Sequence, residues 1–104
     1  MNTTQLECFL AVSDTLNFSR AAERLRLTQP AVSHQINALE DELGVKLFQR
    51  SSKSVRLTQE GYLYTQYAGE ILRLFNVSKG RLRASREEQQ RILGVGCRNT
   101  LELG

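Results

Sequence analysis

Residues 28–43, Thr-Gln-Pro-Ala-Val-Ser-His-Gln-Ile-Asn-Ala-Leu-Glu-Asp-Glu-Leu, constrain this chain more than any other stretch. Thr28 can cap a helix, Pro30 falls in the first turn where a missing N–H costs nothing, and Gly44 stands ready as the stop. Val32, Ile36, Leu39 and Leu43 recur at helical spacing and make one narrow apolar stripe that has to be buried. The opposite face carries Pro30, Ser33, His34 and Asn37, small or polar and uncharged over two turns, and acid enters only at Glu40, Asp41 and Glu42. Hydroxyl, imidazole and amide groups of this kind can hydrogen-bond base edges in a major groove, and a helix N-terminus suits a nearby phosphate. The acidic last turn would be repelled, so any docking is expected N-terminus first. A plain solvated helix could carry the same face, and the neighbouring segments have to decide.

Before it, the spacing predicts a first helix from about Thr4 to Asp14, capped by Thr3 or Thr4. Leu6, Phe9, Leu10 and Ser13 share a face that Val12 and Leu16 broaden, and Leu16 and Phe18 are expected to plug the core. Ser19 then caps a short second helix from Arg20 to Leu25 or Arg26, with Ala21 and Ala22 permitting close approach. Two helices joined by so short a turn form the helix-turn-helix layout, although the glycine common in that turn is absent.

After Gly44, Val45–Arg50 and Val55–Leu57 alternate with period two around a Ser51–Ser54 tip and read as a hairpin. Leu47, Val55 and Leu57 are expected to face the helices, with Phe48 covering an edge. Arg50, Lys53 and Arg56 are then free to project as a cationic wing over a duplex backbone or minor groove. The competing reading is a charged turn that merely avoids edge pairing.

Thr58 should cap a long helix reaching Arg86, about 43 Å and too long for a core of this size to cover. Tyr64, Tyr67, Ile71 and Leu74 form a stripe that Leu63, Phe75 and Leu82 widen, with Val77 on its flank and Ser78 interrupting it. A second copy of the chain, in a two-helix coil, is the expected cover, and packing within one chain the alternative. Gly80 is the candidate for a bend or an early end. From Glu87 the composition turns polar, and Arg91–Cys97 reads as a buried strand without a partner, as if the chain entered a second domain and were a fragment.

At 104 residues the chain affords one small domain with an appendage, and its net charge of +3 favours nucleic acid only weakly. Its two cysteines, Cys8 and Cys97, lie far apart with no targeting sequence, so a reducing, cytoplasmic setting is expected rather than a disulfide framework. The single histidine excludes ordinary zinc spacings, no cofactor motif is present, and no apolar run is long enough for a membrane. Cys8 with His34 is the one conceivable nucleophile and base, with no third group to orient them, so no catalytic residue is assigned. A module serving only protein–protein association is the other non-enzymatic reading.

Phe18-Ser19-Arg20-Ala21-Ala22-Glu23-Arg24-Leu25 followed by Thr28-Gln29-Pro30-Ala31-Val32-Ser33-His34-Gln35-Ile36 resembles the amino-terminal signature of LysR-type transcriptional regulators. Leu39–Gly44, Leu47–Arg50 and Val55–Gly61 continue the resemblance in register, over residues 3–86, and Arg91–Cys97 is similar to the first strand of that family's effector-binding domain. The resemblance implies a mainly α fold: a winged helix-turn-helix of three helices and a two-stranded wing over residues 1–57, then a linker and dimerisation helix over 58–86. Residues 87–104 would be a hinge and first strand of a second domain, through which alone a small-molecule effector would act. It further implies binding of double-stranded DNA at an interrupted inverted repeat as a homodimer, with tetramers only at full length.

Carried over by position, Gln29, Pro30, Ser33 and His34 would meet base edges, Thr28 would hold phosphate, and Arg50 and Lys53 would serve the wing. Arg20, Asn37 and Arg56 complete the expected DNA-binding set, and Tyr64, Tyr67, Ile71, Leu74, Phe75 and Leu82 the dimerisation set. His34 stands where the family often has arginine, so a bidentate contact to guanine is lost. Lys53 also replaces a common arginine, which weakens shape reading of a narrow groove. Asn99 and Thr100 lie where ligand pockets of the family often begin, without being assigned a site.

Overall fold

Asn2 opens the first helix. In the computed structural model, which describes residues 1–96 and side chains through residue 89, Asn2 Oδ1 accepts the Gln5 N–H at 2.8 Å while Gln5 Oε1 accepts the Asn2 N–H at 3.3 Å. This reciprocal capping box satisfies two amides at once, so Asn2 caps the helix in place of the expected Thr3 or Thr4. The helix α1 therefore spans Thr3–Thr15, and Leu16 ends it in the left-handed region at φ 53°. That position turns Leu16 outward, 44% exposed, so Phe18 plugs the core alone.

Helix α2 spans Phe18–Leu25, two residues longer at its start than the sequence suggested. Asn17, not Ser19, is its cap, accepting the Arg20 N–H at 3.0 Å. Arg26, at φ 59°, takes the left-handed position that a glycine would otherwise fill in the turn. The turn thus forms without glycine at a conformational cost of roughly 1 kcal/mol. Helix α3 spans Gln29–Leu43 with the expected ends: Thr28 Oγ1 accepts the Ala31 N–H at 3.2 Å, and Gly44 closes it at φ 76°.

The chain divides into two compact units, residues 1–72 and 73–104. The core of the first gathers Leu6, Phe9 and Val12 of α1, Ala21 and Ala22 of α2, and Val32, Ile36 and Leu39 of α3. Cys8 is fully buried among them, and Leu43 only partly. Phe48 is buried rather than covering an edge, because its ring fills the space between Phe9, at 5.5 Å, and Phe18, at 6.1 Å. Strand β1, Phe48–Arg50, runs antiparallel to β2, Val55–Leu57, with Gln49 opposite Arg56. Ser51 and Ser54 close the tip, the Ser51 N–H donating to the Ser54 carbonyl at 2.9 Å.

Thr58 both donates to the Lys46 carbonyl at 2.6 Å and accepts the Gly61 N–H at 2.9 Å, so it starts α4 as expected. Helix α4 spans Gln59–Gly96, 38 residues or about 57 Å. Gly80 does not end it, and residues 91–96 continue the helix where a strand was expected. A lone strand leaves its N–H and C=O groups unpaired, whereas a helix pairs them along itself. Cys97, Asn99 and Thr100 lie outside the described residues.

Candidate nucleic-acid interface

The outward face of α3 comes straight from its capping and its stripe. With Val32, Ile36 and Leu39 wholly buried, Gln29, Pro30, His34 and Asn37 are left exposed, and Ser33 half-buried. Thr28, exposed at the cap, takes the Ala31 N–H and Pro30 has none, so the first turn offers the Gln29 N–H to an outside acceptor, where the helix dipole adds partial positive charge. A cleft of about 320 Å³ lies between this end of α3, the start of α2 and the wing, lined among others by Asn17, Ser19, Gln29, Ser33 and Lys53. Arg20 is exposed on α2 next to that lining. Lys53 and Arg56 are exposed and take no ion pair among the described residues.

Arg50 departs from the expectation that all three wing cations project freely. Its guanidinium lies over the Phe18 ring, 4.4 Å from the centroid, and donates to Asn37 Oδ1 at 3.0 Å. It is also 4.0 Å from Glu40. A planar cation with several donors can stack and hydrogen-bond at once, so packing competes with solvent for it. The same contact occupies the carbonyl oxygen of Asn37 and leaves its NH₂ for another acceptor.

Glu40 is the residue that sequence reasoning misjudged. Read as part of an acidic last turn that phosphate would repel, it is instead 3% exposed and accepts the Leu47 and Phe48 N–H groups at 2.7 and 3.2 Å. Its one sequence signal is spacing, four residues after Ile36 and eight after Val32, which sets it on the flank of the apolar stripe while Asp41 and Glu42 beside it are exposed.

Along α4, Tyr64 is half-buried and meets Phe9 edge-on at 5.4 Å, so its own core takes it. Tyr67, Ile71, Leu74, Phe75 and Leu82 are exposed, from 40% at Ile71 to 71% at Leu82. Cys8, buried in the core, is no nucleophile: burial and then the neighbouring Glu7 push its thiol up. Among the described residues no cluster of His, Cys, Asp and Glu could hold a metal, and no helix is long and apolar enough to cross a membrane.

Three helices, the third presenting a polar N-terminal face beside a cationic two-stranded wing, define a winged helix-turn-helix DNA-binding domain. The profile of the bacterial regulatory helix-turn-helix proteins of the lysR family matches residues 3–62, and the chain belongs to that family. It is 40% identical over 85 residues to the transcriptional regulator ClcR of Pseudomonas putida, covering 82% of this chain and 29% of ClcR. It is similar to the CbnR DNA-binding domain in a crystal structure with DNA, at TM-score 0.79 and 40% identity, covering 83% of this chain and 99% of that one. Vibrio fischeri DarR, solved in complex with DNA, is similar at TM-score 0.80 and 33% identity, over 84% of this chain and 30% of DarR. The curated relatives carry names of transcriptional regulators, not of enzymes. This chain spans between 27% and 50% of the length of the first of them.

Proposed function

We propose that the chain binds double-stranded DNA sequence-specifically as a homodimer, at an interrupted inverted repeat, in the service of transcriptional regulation in the cytoplasm. The observation that carries this reading is the uncharged face of α3 lying beside a wing whose Lys53 and Arg56 are unpaired. In it, Gln29, Pro30, Ser33 and His34 meet base edges in the major groove, and Asn37 adds its free NH₂. Thr28 and the Gln29 N–H hold a phosphate, Arg20, Lys53 and Arg56 take the flanking backbone, and Arg50 steadies the wing. That CbnR and DarR were solved with DNA supports the reading.

Dimerisation is assigned to residues 58–86, through the exposed Tyr67, Ile71, Leu74, Phe75 and Leu82, a stripe that water covers poorly. Tyr64 contributes by fastening that helix to its own domain. Residues 87–104 then lead toward an effector-binding domain, and tetramers belong to the longer protein. Binding to labelled duplexes over a range of salt tests the proposal, using an interrupted inverted repeat from DNA beside the coding sequence and a scrambled control. A steep salt dependence with preference for the repeat is expected. Equal binding to both would remove specificity from this segment, and no binding at low salt would leave association through α4 as its task.

A further inference from the structure

A wing of two three-residue strands cannot fix its own orientation, so its bearing depends on what β1 is fastened to. Apolar packing of Leu47 and Phe48 seats the strand without setting its direction. Directional bonds do that: Thr58 holds the Lys46 and Leu47 carbonyls from the start of α4, and the amides that open β1 are held by one side chain of α3. Glu40 Oε2 accepts the N–H groups of Leu47 and Phe48 where β1 begins, at 2.7 and 3.2 Å. Its Oε1 faces Lys46 Nζ at 3.8 Å and Arg50 Nη2 at 4.0 Å, and Arg50 is where β1 ends. Arg50 is tied back to α3 through Asn37, at 3.0 Å, and to the first residue of α2 through the ring of Phe18. Asn37 and Glu40 are neighbours on one helix face, three residues apart. That face therefore grips both ends of the strand.

We propose that Glu40 is a positioning residue for DNA recognition: with Arg50 as its second arm, it sets the angle between the wing and α3, and hence where Lys53 meets the duplex. The proposal rests on the DNA-binding reading above. Lys53 lies in the turn three residues beyond Arg50, so at most about 10 Å from the grip, and a rotation of about 10° there moves it by up to about 2 Å. A displacement of that size breaks a hydrogen-bonded phosphate contact while leaving the base-reading face of α3 in place.

Two measurements on Glu40→Gln, which keeps the shape and one acceptor but removes the charge, test this. Without DNA, amide hydrogen exchange across residues 47–57 is expected to quicken about tenfold, with the core amides of α1 and α3 unchanged. Uniform quickening of all elements, or none in the wing, overturns the proposal, because Glu40 would then be a general stabiliser. With a 30-base-pair duplex, the slope of log affinity against log salt should become shallower by about one, the loss of one phosphate contact. Lys53→Ala, which alone should have the same effect, should add nothing in the Glu40→Gln background. Additive losses overturn the proposal. If the unaltered protein binds no duplex, the DNA reading falls, while the exchange pattern still decides whether Glu40 orients the wing. Should Glu40→Gln fold poorly, Arg50→Lys removes the second arm while keeping the charge, and the same two readouts apply.

Discussion

Gly61, in the first turn of α4, stands so close to the carbonyl of Leu47 that no Cβ fits between them. The same carbonyl accepts the Thr58 N–H at 3.0 Å, so the start of α4 is laid directly on the root of the wing. Glycine is required here by space, not by backbone angle. Gly61→Ala is expected to destabilise the domain by about 2 kcal/mol, lowering its thermal midpoint by roughly 8–16 °C. A Cβ at Gly69 or Gly80 meets nothing within 4 Å, so alanine there should stabilise by about 0.5–1 kcal/mol each. Thermal unfolding followed by circular dichroism reads all three, and an unchanged midpoint in Gly61→Ala would mean that α4 is not seated on Leu47.

Ser33 lies half-buried on the face of α3 assigned to base edges and lines the cleft toward the wing. Ser33→Glu would place a carboxylate among phosphates, and we expect at least a thirtyfold loss of duplex affinity (about 2 kcal/mol) with the fold intact. Fluorescence anisotropy on the labelled repeat, paired with a far-ultraviolet spectrum, checks both halves of this statement. Normal binding by a folded Ser33→Glu protein would show that the docking face lies elsewhere.

For the exposed stripe of α4, burying one leucine in a dimer is worth about 1.5–3 kcal/mol. Leu74→Glu and Leu82→Glu, at positions 53% and 71% exposed, should each weaken self-association by about tenfold to a hundredfold. Sedimentation over a concentration range measures this directly. A mass that follows concentration identically in the variants and the parent would assign the stripe to some other partner.

Alkaline pH should loosen the first unit through Cys8 and Tyr64. Burial, and then Glu7, raises the Cys8 thiol, while burial, and then Glu42, raises the Tyr64 phenol. Both groups hold their protons more tightly folded than unfolded. Their stabilisation is thus complete below the ordinary values near 9 and 10, and is lost as pH climbs through the higher folded ones. Urea unfolding between pH 8 and 11 should show falling stability. Cys8→Ala should flatten the lower part of that fall and Tyr64→Phe the upper part, and an unaltered slope in both variants would place the loss at other groups.

Much of this fold is legible along the chain. The stripe of Val32, Ile36 and Leu39, the Thr28 cap, the Gly44 stop and the paired runs of the wing depend on neighbours a few residues away, which a linear reading already contains. The caps at Asn2 and Asn17 were missed by one or two residues, because several Thr, Ser and Asn side chains compete there and only the folded geometry selects among them. The α4 helix was read correctly at its start. Its continuation through residues 91–96 was not, since a strand pattern without partner strands has nothing to pair with.

The sequence by itself determined which face of α3 is apolar, which face offers polar groups, where that helix begins and ends, and that a long apolar stripe would follow. Periodicity and capping are local properties, so those conclusions hold before any tertiary contact is known. Tertiary structure alone decided the fates of Glu40, Arg50 and Tyr64. Glu40 is buried under the Leu47 and Phe48 amides seven and eight residues away, Arg50 is held at the surface by Asn37 thirteen residues away, and the ring of Tyr64 packs on Phe9 of another helix. A charge or hydroxyl is assigned to solvent by composition, but to a partner by geometry, and only the folded chain supplies the geometry.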